Sequence, residues 1–355
     1  MLLEAISGSE VAVQVAERIT RELGRPFVLE GRELFVSSSI GISVGNARTR
    51  TPEGLLKEAD TAMYRVKAEG GAFFRTFDPA MYERNKGHIE LEGDLRRALE
   101  TSHEQLHVLY QPMASISTGE IVGMEAMLRW DHPDQGRLAP AAFVPMAEET
   151  GLIVPLGRWA LEEACRRARE WQERYPGAVP LTMAVNLSAR QLRYTELVRE
   201  VDDILRRTVL DPRSFTLEIT ESILVEMGGS STGTLQRLKE LGVRLAIDEF
   251  GVKYSSLSYL RYLPVDLLKL DRVLVKDLDK DRKNLAIVRA ALDIGHAMGI
   301  EVVAEGVQTQ EEFEELRGLG CDVGQGNYWS APLPPGEAGA LLTSNFPSAP
   351  RTRAR

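Results

Sequence analysis

The sequence predicts an α/β protein. Its larger part reads as a TIM-like (β/α)8 barrel with one antiparallel strand, preceded by a smaller, partial α/β sheet unit. Three observations predict this. Beyond residue 105, apolar runs of strand length alternate with amphipathic stretches of helix length, about eight strands in roughly 240 residues, the count and size of such a barrel. The first two runs are joined by Ser117-Thr118-Gly119-Glu120, a hairpin-like link that sets one strand against the others. Acidic and amide residues close successive runs, and the strand ends of a parallel barrel converge on one mouth.

The elements follow in order. Val11, Val15, Ile19 and Leu23 recur at helical spacing and stop at Gly24, so Val11–Leu23 is predicted as a helix. Arg32–Val44 alternates and is rich in β-branched residues, which predicts a strand ending at Gly45. Thr51-Pro52-Glu53 opens a helix with Leu55, Leu56, Ala59 and Met63 on one face, ending at Gly70-Gly71, and Ala72–Phe77 follows as a strand. That inventory is small for a sheet covered on both faces, which predicts a loosely held unit with an exposed sheet edge. A charged helical connector then runs from Pro79 to Glu104. Barrel strands are predicted at Leu106–Ile116, Ile121–Trp130, Leu181–Leu187, Phe215–Thr220, Val243–Asp248, Leu267–Leu270, Glu301–Ala304 and near Gly326–Tyr328. Helices are predicted between most of them, among them Val154–Arg174, Leu197–Thr208, Ser231–Leu241 and Arg282–Met298. The division is 1–80 for the first unit, 81–104 for the connector and 105–343 for the barrel. The Pro/Ser/Arg-rich tail, 344–355, reads as disordered.

Composition narrows the function classes. A hydrophobic fraction of 43% with 27% charged residues is that of a soluble globular protein. The formal net charge of -9 argues against broad nucleic-acid binding, though not against a locally basic pocket for one phosphorylated ligand. Cys165 and Cys321 are the two cysteines; they form no disulfide framework and no metal-type spacing, and the expected location is the cytoplasm. No signal peptide is expected at Met1-Leu2-Leu3-Glu4, and no apolar run is long enough to cross a bilayer.

The residues closing the strands carry the chemistry. Glu125, Glu218, Asp248-Glu249 and Glu305 close strands together with the amide Asn186, and carboxylates at a shared mouth would repel one another, with raised pKa values, unless a cation neutralised them. Taken singly, each has a plainer explanation. Glu125 stands four residues before Arg129 and would serve as half of a surface ion pair. Asn186 precedes Leu187-Ser188 in what reads equally as a helix N-cap region. Glu218 fits a solvated strand face. Together, all at strand ends, they point to divalent cations. Lys269 and Asp271 lie two residues apart at the end of an apolar strand and are expected on one face. A lysine among carboxylates would neutralise charge, orient a water or stabilise developing phosphate charge; the plainer alternative is a satisfied buried Lys–Asp pair.

From about Leu91 to Leu342 the chain resembles the EAL domain, the barrel that hydrolyses the bacterial second messenger cyclic di-GMP. The likeness rests on Tyr110-Gln111-Pro112, Glu125-Ala126-Met127-Leu128-Arg129-Trp130, Ala147-Glu148-Glu149-Thr150-Gly151, Asn186-Leu187-Ser188, Glu218-Ile219-Thr220-Glu221-Ser222, Leu268-Lys269-Leu270-Asp271, Ala304-Glu305-Gly306-Val307 and Gln325-Gly326. The resemblance implies two-metal-ion cleavage of cyclic di-GMP to linear pGpG with two Mg2+ or Mn2+ ions. It implies that Glu125, Asn186, Glu218 and Asp248 bind one ion. Asp248 would bridge to a second, with help from Glu249, Asp271 and Glu305. Lys269 would position the attacking water or the phosphate, with Gln325 nearby. Gln111 and Arg129 are similar to family residues that contact guanine and phosphate, and Glu221 to one that braces the loop after Asp248. Oxygen-rich ligands also suit Mg2+ or Mn2+ better than zinc on chemical grounds alone.

Several positions depart from the family pattern. Glu249 stands in place of the second of two paired aspartates, one methylene longer. Val252-Lys253 replaces a loop that usually carries glycine, Gln308 a common glutamate, and Ala331 a common basic residue. These changes predict slow or conditional turnover, with a cyclic di-GMP-binding receptor as the alternative and an unrelated metal-dependent hydrolase barrel as a more distant one. The first 80 residues resemble the C-terminal half of a GGDEF domain, through Leu34-Phe35-Val36-Ser37-Ser38-Ser39-Ile40-Gly41-Ile42 and Ala59-Asp60-Thr61-Ala62-Met63-Tyr64-Arg65-Val66-Lys67. The signature hairpin that holds GTP is absent, so no diguanylate cyclase activity is expected. The expected partners are cyclic di-GMP, a second copy through the barrel near Val252-Lys253, and a protein partner or upstream sensor through the N-terminal fragment.

Overall fold

A computed structural model describes residues 1–343, except 5, 7, 25–26, 30–31, 35–37, 46–50, 69–72, 102, 177–180, 228–231, 252–259 and 262. The predicted tail and the Val252-Lys253 loop therefore lie outside the described residues. The chain divides into two compact units, Met1–Arg97 with Pro145–Thr150, and Ala98–Val144 with Gly151–Arg355.

In the first unit a helix over Ser9–Leu23 precedes β1 (Phe27–Leu29) and β2 (Arg32–Leu34), an antiparallel pair. β3 (Ile40–Ile42) pairs in parallel with β4 (Phe74–Thr76) across the helix Pro52–Ala68. The strand predicted over Arg32–Val44 is thus two short strands in two different sheets. Gly41 lets the helix lie directly on β3, because a side chain there would overlap the backbone of Ala59 and Met63. Ala12, Ala16 and Ile42 form a small buried cluster.

The second unit is a closed barrel. Its strands are β5 (Leu106–Ser115), β6 (Ile121–His132), β8 (Thr182–Asn186), β9 (Phe215–Thr220), β10 (Arg244–Phe250), β11 (Leu267–Leu270), β12 (Glu301–Ala304) and β13 (Val323–Gln325). A short β7 (Gly136–Leu138) pairs with β6 outside the ring. β5 runs antiparallel to both its neighbours, β6 and β13, and closes the ring; the remaining contacts between ring strands are parallel. This is the predicted barrel with its one reversed strand. The last strand lies at Val323–Gln325 rather than Gly326–Tyr328. Gly326 has φ 153°, and beyond it the chain turns back so that Tyr328 N–H donates to Val307 O.

The period of two along each strand builds the site. Met113, Ala184, Ala246, Leu267, Val303 and Val323 pack into one apolar layer. Two residues nearer the mouth, on the same faces, stand Gln111, Asn186, Asp248, Lys269, Glu305 and Gln325. The alternate residues, such as Leu217, Ile219, Leu245, Ile247, Leu268 and Val302, join the large cluster beneath the surrounding helices. A slip of one residue in any strand would exchange these layers, so burial of the outer face fixes which side chains reach the mouth.

Candidate active site

Register brings the predicted residues together. Gln111 is directly opposite Glu125 across β5–β6, and Asn186 is opposite Glu218 across β8–β9. Asp248 and Lys269 project from β10 and β11, Glu305 directly follows β12, and Gln325 ends β13. Lys269 is fully buried. Its Nζ lies 2.6 Å from Glu305 Oε1, 2.7 Å from Glu218 Oε1, 3.0 Å from Glu125 Oε2 and 3.8 Å from Asp248 Oδ1.

Amides complete the network. Asn186 Nδ2 donates to Glu125 Oε1 at 2.8 Å. Gln325 Nε2 donates to Glu125 Oε2 at 2.8 Å and to Gln111 Oε1 at 3.1 Å. Gln111 Nε2 in turn donates to the carbonyl of Ser330 at 3.0 Å. Ser330 is held there because Leu333 and Tyr110 exchange both backbone hydrogen bonds, at 2.8 and 2.9 Å. Sequence reasoning missed Ser330, and its contribution is a main-chain oxygen that no side-chain pattern announces.

One ammonium cannot neutralise four carboxylates equally. Burial disfavours the charged Glu125, yet Lys269, Gln325 and Asn186 outweigh it and hold its pKa below the usual carboxylate value. Glu218 goes the other way, pushed well above by burial and by Glu125, with Lys269 only partly opposing. Burial also raises Glu305, to about 8. Lys269 itself is disfavoured as a cation by burial, but the surrounding carboxylates dominate and raise its pKa well above the lysine norm.

The donor set fits a hard divalent cation. Apart from Lys269 the inward groups offer carboxylate and amide oxygens, the chemistry that Mg2+ and Mn2+ prefer. Glu218 Oε2 and Gln325 Oε1 are buried without a hydrogen-bond partner, acceptors that the protein itself does not satisfy. Among the described residues no three His, Cys, Asp or Glu side chains form a ready-made cage, and Lys269 lies between the carboxylates that would supply one.

Other predicted residues lie apart. Asp271 does not share the cluster with Lys269. Its Oδ1 accepts from Val273 N–H at 2.7 Å, and it caps the short helix Arg272–Val275. Glu249 is exposed, with φ 56°, and its N–H donates to Asp248 Oδ1 at 2.8 Å. Arg129 bonds the carbonyl of Leu128 at 2.7 Å. Burial and Arg137 lower its pKa, against Glu125. Glu221 opens the helix Glu221–Met227, while the loop it was expected to brace lies outside the described residues. Gln308 and Ala331 are exposed. The plainer explanations for Glu125 and Glu218 fail, since the two are 4% and 1% exposed. Ser188, not Asn186, is the helix cap. A separate cavity of about 410 Å³, lined in part by His103, Trp159, Arg137 and Arg167, contains none of the predicted residues.

A model of the EAL domain matches residues 92–332, and a model of the diguanylate cyclase GGDEF domain matches residues 1–72. An uncharacterized protein, y4lL of Sinorhizobium fredii, is 39% identical over 97% of this chain and 41% of its own length. The bifunctional diguanylate cyclase/cyclic di-GMP phosphodiesterase MucR of Pseudomonas aeruginosa is 38% identical over 94% of this chain and 48% of its own. The chain thus spans less than half the length of these two curated relatives. The solved structure of the PaMucR phosphodiesterase in complex with c-di-GMP is 42% identical, with a TM-score of 0.66, and is matched over 99% of its chain and 70% of this one.

Proposed function

The chain belongs to the EAL domain family, and from that premise we propose that it hydrolyses cyclic di-GMP to linear pGpG in a reaction dependent on Mg2+ or Mn2+. The observation that carries this reading is the Lys269-centred cluster, in which oxygen donors from separate strands converge and Glu218 Oε2 has no partner.

Glu125, Asn186, Glu218 and Asp248 would hold one ion, with Glu305 beside them; Glu249, which is exposed, and Asp271, which caps a helix, would have to turn toward Asp248 to hold a second. When bound, such ions supply Lewis acidity and positive charge to phosphoryl and water oxygens. The chain's own groups supply the rest. Lys269, charged and shielded from water, would direct an N–H toward negative charge developing on the phosphate. Gln111, fixed at both ends by Ser330 and Gln325, would present a rigid amide edge to guanine, and Arg129 would meet a phosphate. Glu305 would take up or release a proton beside Lys269.

A second reading, a receptor that binds cyclic di-GMP without cleaving it, is favoured by one observation: Glu249 is exposed and stands on left-handed backbone, so a longer acid replaces the family's aspartate at a strained position. Incubation of the full chain with cyclic di-GMP and Mg2+ or Mn2+, followed by chromatography, separates the two. Product that disappears with chelator supports hydrolysis. Measurable binding without product supports the receptor.

A further inference from the structure

Glu125, Glu218, Asp248 and Glu305 meet where no side chain among them is more than 20% exposed. Carboxylates so placed repel one another strongly in a poorly solvated region. The cation that all four approach is Lys269, itself without any exposed surface. An ammonium has three N–H donors and no acceptor. Three carboxylates stand within 3.0 Å of Nζ, those of Glu305, Glu218 and Glu125, as many as it has donors, and Glu125 accepts a hydrogen bond from it. The stem of Lys269 rises from the apolar layer that includes Leu267, which brings the charge to the cluster from below.

We propose that Lys269 is a built-in counter-ion. It gathers the metal-binding carboxylates when no divalent ion is present, and it gives up Glu218 and Glu125 when one enters. Metal loading is then the exchange of one cation for another, not the filling of a vacant cage. The unpartnered Glu218 Oε2 marks where the ammonium falls short and an ion of higher charge gains. The exchange has a thermodynamic consequence: Lys269 protects the metal-free fold and, for the same reason, weakens metal binding. This inference rests on the proposal that the site takes divalent ions, and it adds to Lys269 a role distinct from orienting water or phosphate.

The test uses the full chain and Lys269→Met, which keeps the length of the side chain and removes its charge. Thermal denaturation is followed in chelator and in saturating MnCl2, and Mn2+ affinity is measured by titration calorimetry. In chelator the variant is expected to melt roughly 10 °C below the wild type, as for a buried ion network that loses one partner. Mn2+ is expected to raise its melting temperature more than that of the wild type, and to bind it at least about tenfold more tightly. An unchanged melting temperature in chelator, or a metal-induced rise no larger than the wild type's, overturns the proposal. Equal rises leave the metal reading standing and remove the exchange alone, whereas no rise in either protein removes both. Should the variant fail to fold, a crystal of the wild type soaked in MnCl2 decides. Nζ beyond hydrogen-bonding distance of Glu218 supports the exchange, and Nζ still at 2.7 Å beside a bound ion overturns it.

Discussion

Glu249 turns its backbone into the left-handed region and returns its N–H to the side chain of the residue before it, Asp248, at 2.8 Å. The bond fixes one oxygen of Asp248 at the strand end. Left-handed backbone is tolerated better by Asp than by Glu. The variant Glu249→Asp is therefore expected to keep or slightly raise the melting temperature and to raise kcat several-fold, since misplacement by about 1 Å can cost ~100-fold in rate. Steady-state kinetics with cyclic di-GMP would show it; an unchanged or lower rate rejects a geometric limit at this position.

Glu125 accepts from Asn186, Gln325 and Lys269 at once. Glu125→Ala is expected to lower metal-dependent turnover by at least about 100-fold, the scale of losing a group that orients a metal site. Circular dichroism should show the barrel still folded.

Gln111 differs from the acids in having no charge to contribute. Gln111→Ala is expected to weaken cyclic di-GMP binding by roughly tenfold, about one net hydrogen bond, with a smaller effect on kcat. Calorimetry beside kinetics separates the two, and a fall in kcat at unchanged affinity would contradict a binding role.

Gly326 has φ 153° and lies against Val307, whose N–H donates to Gln325 O and whose carbonyl accepts from Tyr328. A Cβ at Gly326 would overlap the backbone of Val307. Gly306, with φ 69°, would instead meet the flexible side chain of Arg272. Gly326→Ala is thus expected to destabilise the protein by about 2–4 kcal/mol and Gly306→Ala by less. Chemical denaturation of the two variants side by side checks the order.

Much of the barrel was legible because its strands are short apolar runs between clear helical patterns. Phe215–Thr220, Leu267–Leu270 and Glu301–Ala304 begin and end where periodicity places them. The last strand was misplaced because three residues, Val323–Gln325, carry almost no periodic signal, and the backbone turn after Gly326 depends on Val307 far along the chain. The acidic cluster was legible as a set of strand ends. Its internal arrangement was not, because the meeting of Lys269 with Glu305 and Glu218 depends on register between strands. Asp271 shows the same limit. Spacing alone put it beside Lys269, yet the chain leaves the strand there, and its carboxylate serves as a helix cap. The cap at Ser188 was within reach, since Ser188 and Gln191 form the Ser-x-x-Gln box that marks a helix start.

The first unit invites a test of its own. Its small apolar cluster of Ala12, Ala16 and Ile42 contrasts with the continuous core of the barrel. Limited proteolysis is expected to cut within residues 1–80 well before the barrel, as local stability follows buried apolar contact. Equal resistance of both parts would show that the first unit is held more firmly than its core suggests.

The reversal of β5 also sets the direction of traffic along the polypeptide. Leu106, where β5 begins, is paired with Trp130 near the end of β6, and Ser115, where β5 finishes, is paired with Val323 at the start of β13. In an all-parallel barrel the chain would enter at the floor, on the side away from the chemistry. Here it enters at the rim beside the mouth. A pull or twist on the chain just before Leu106 is thereby delivered to the strand that carries Gln111, five residues from the doorway.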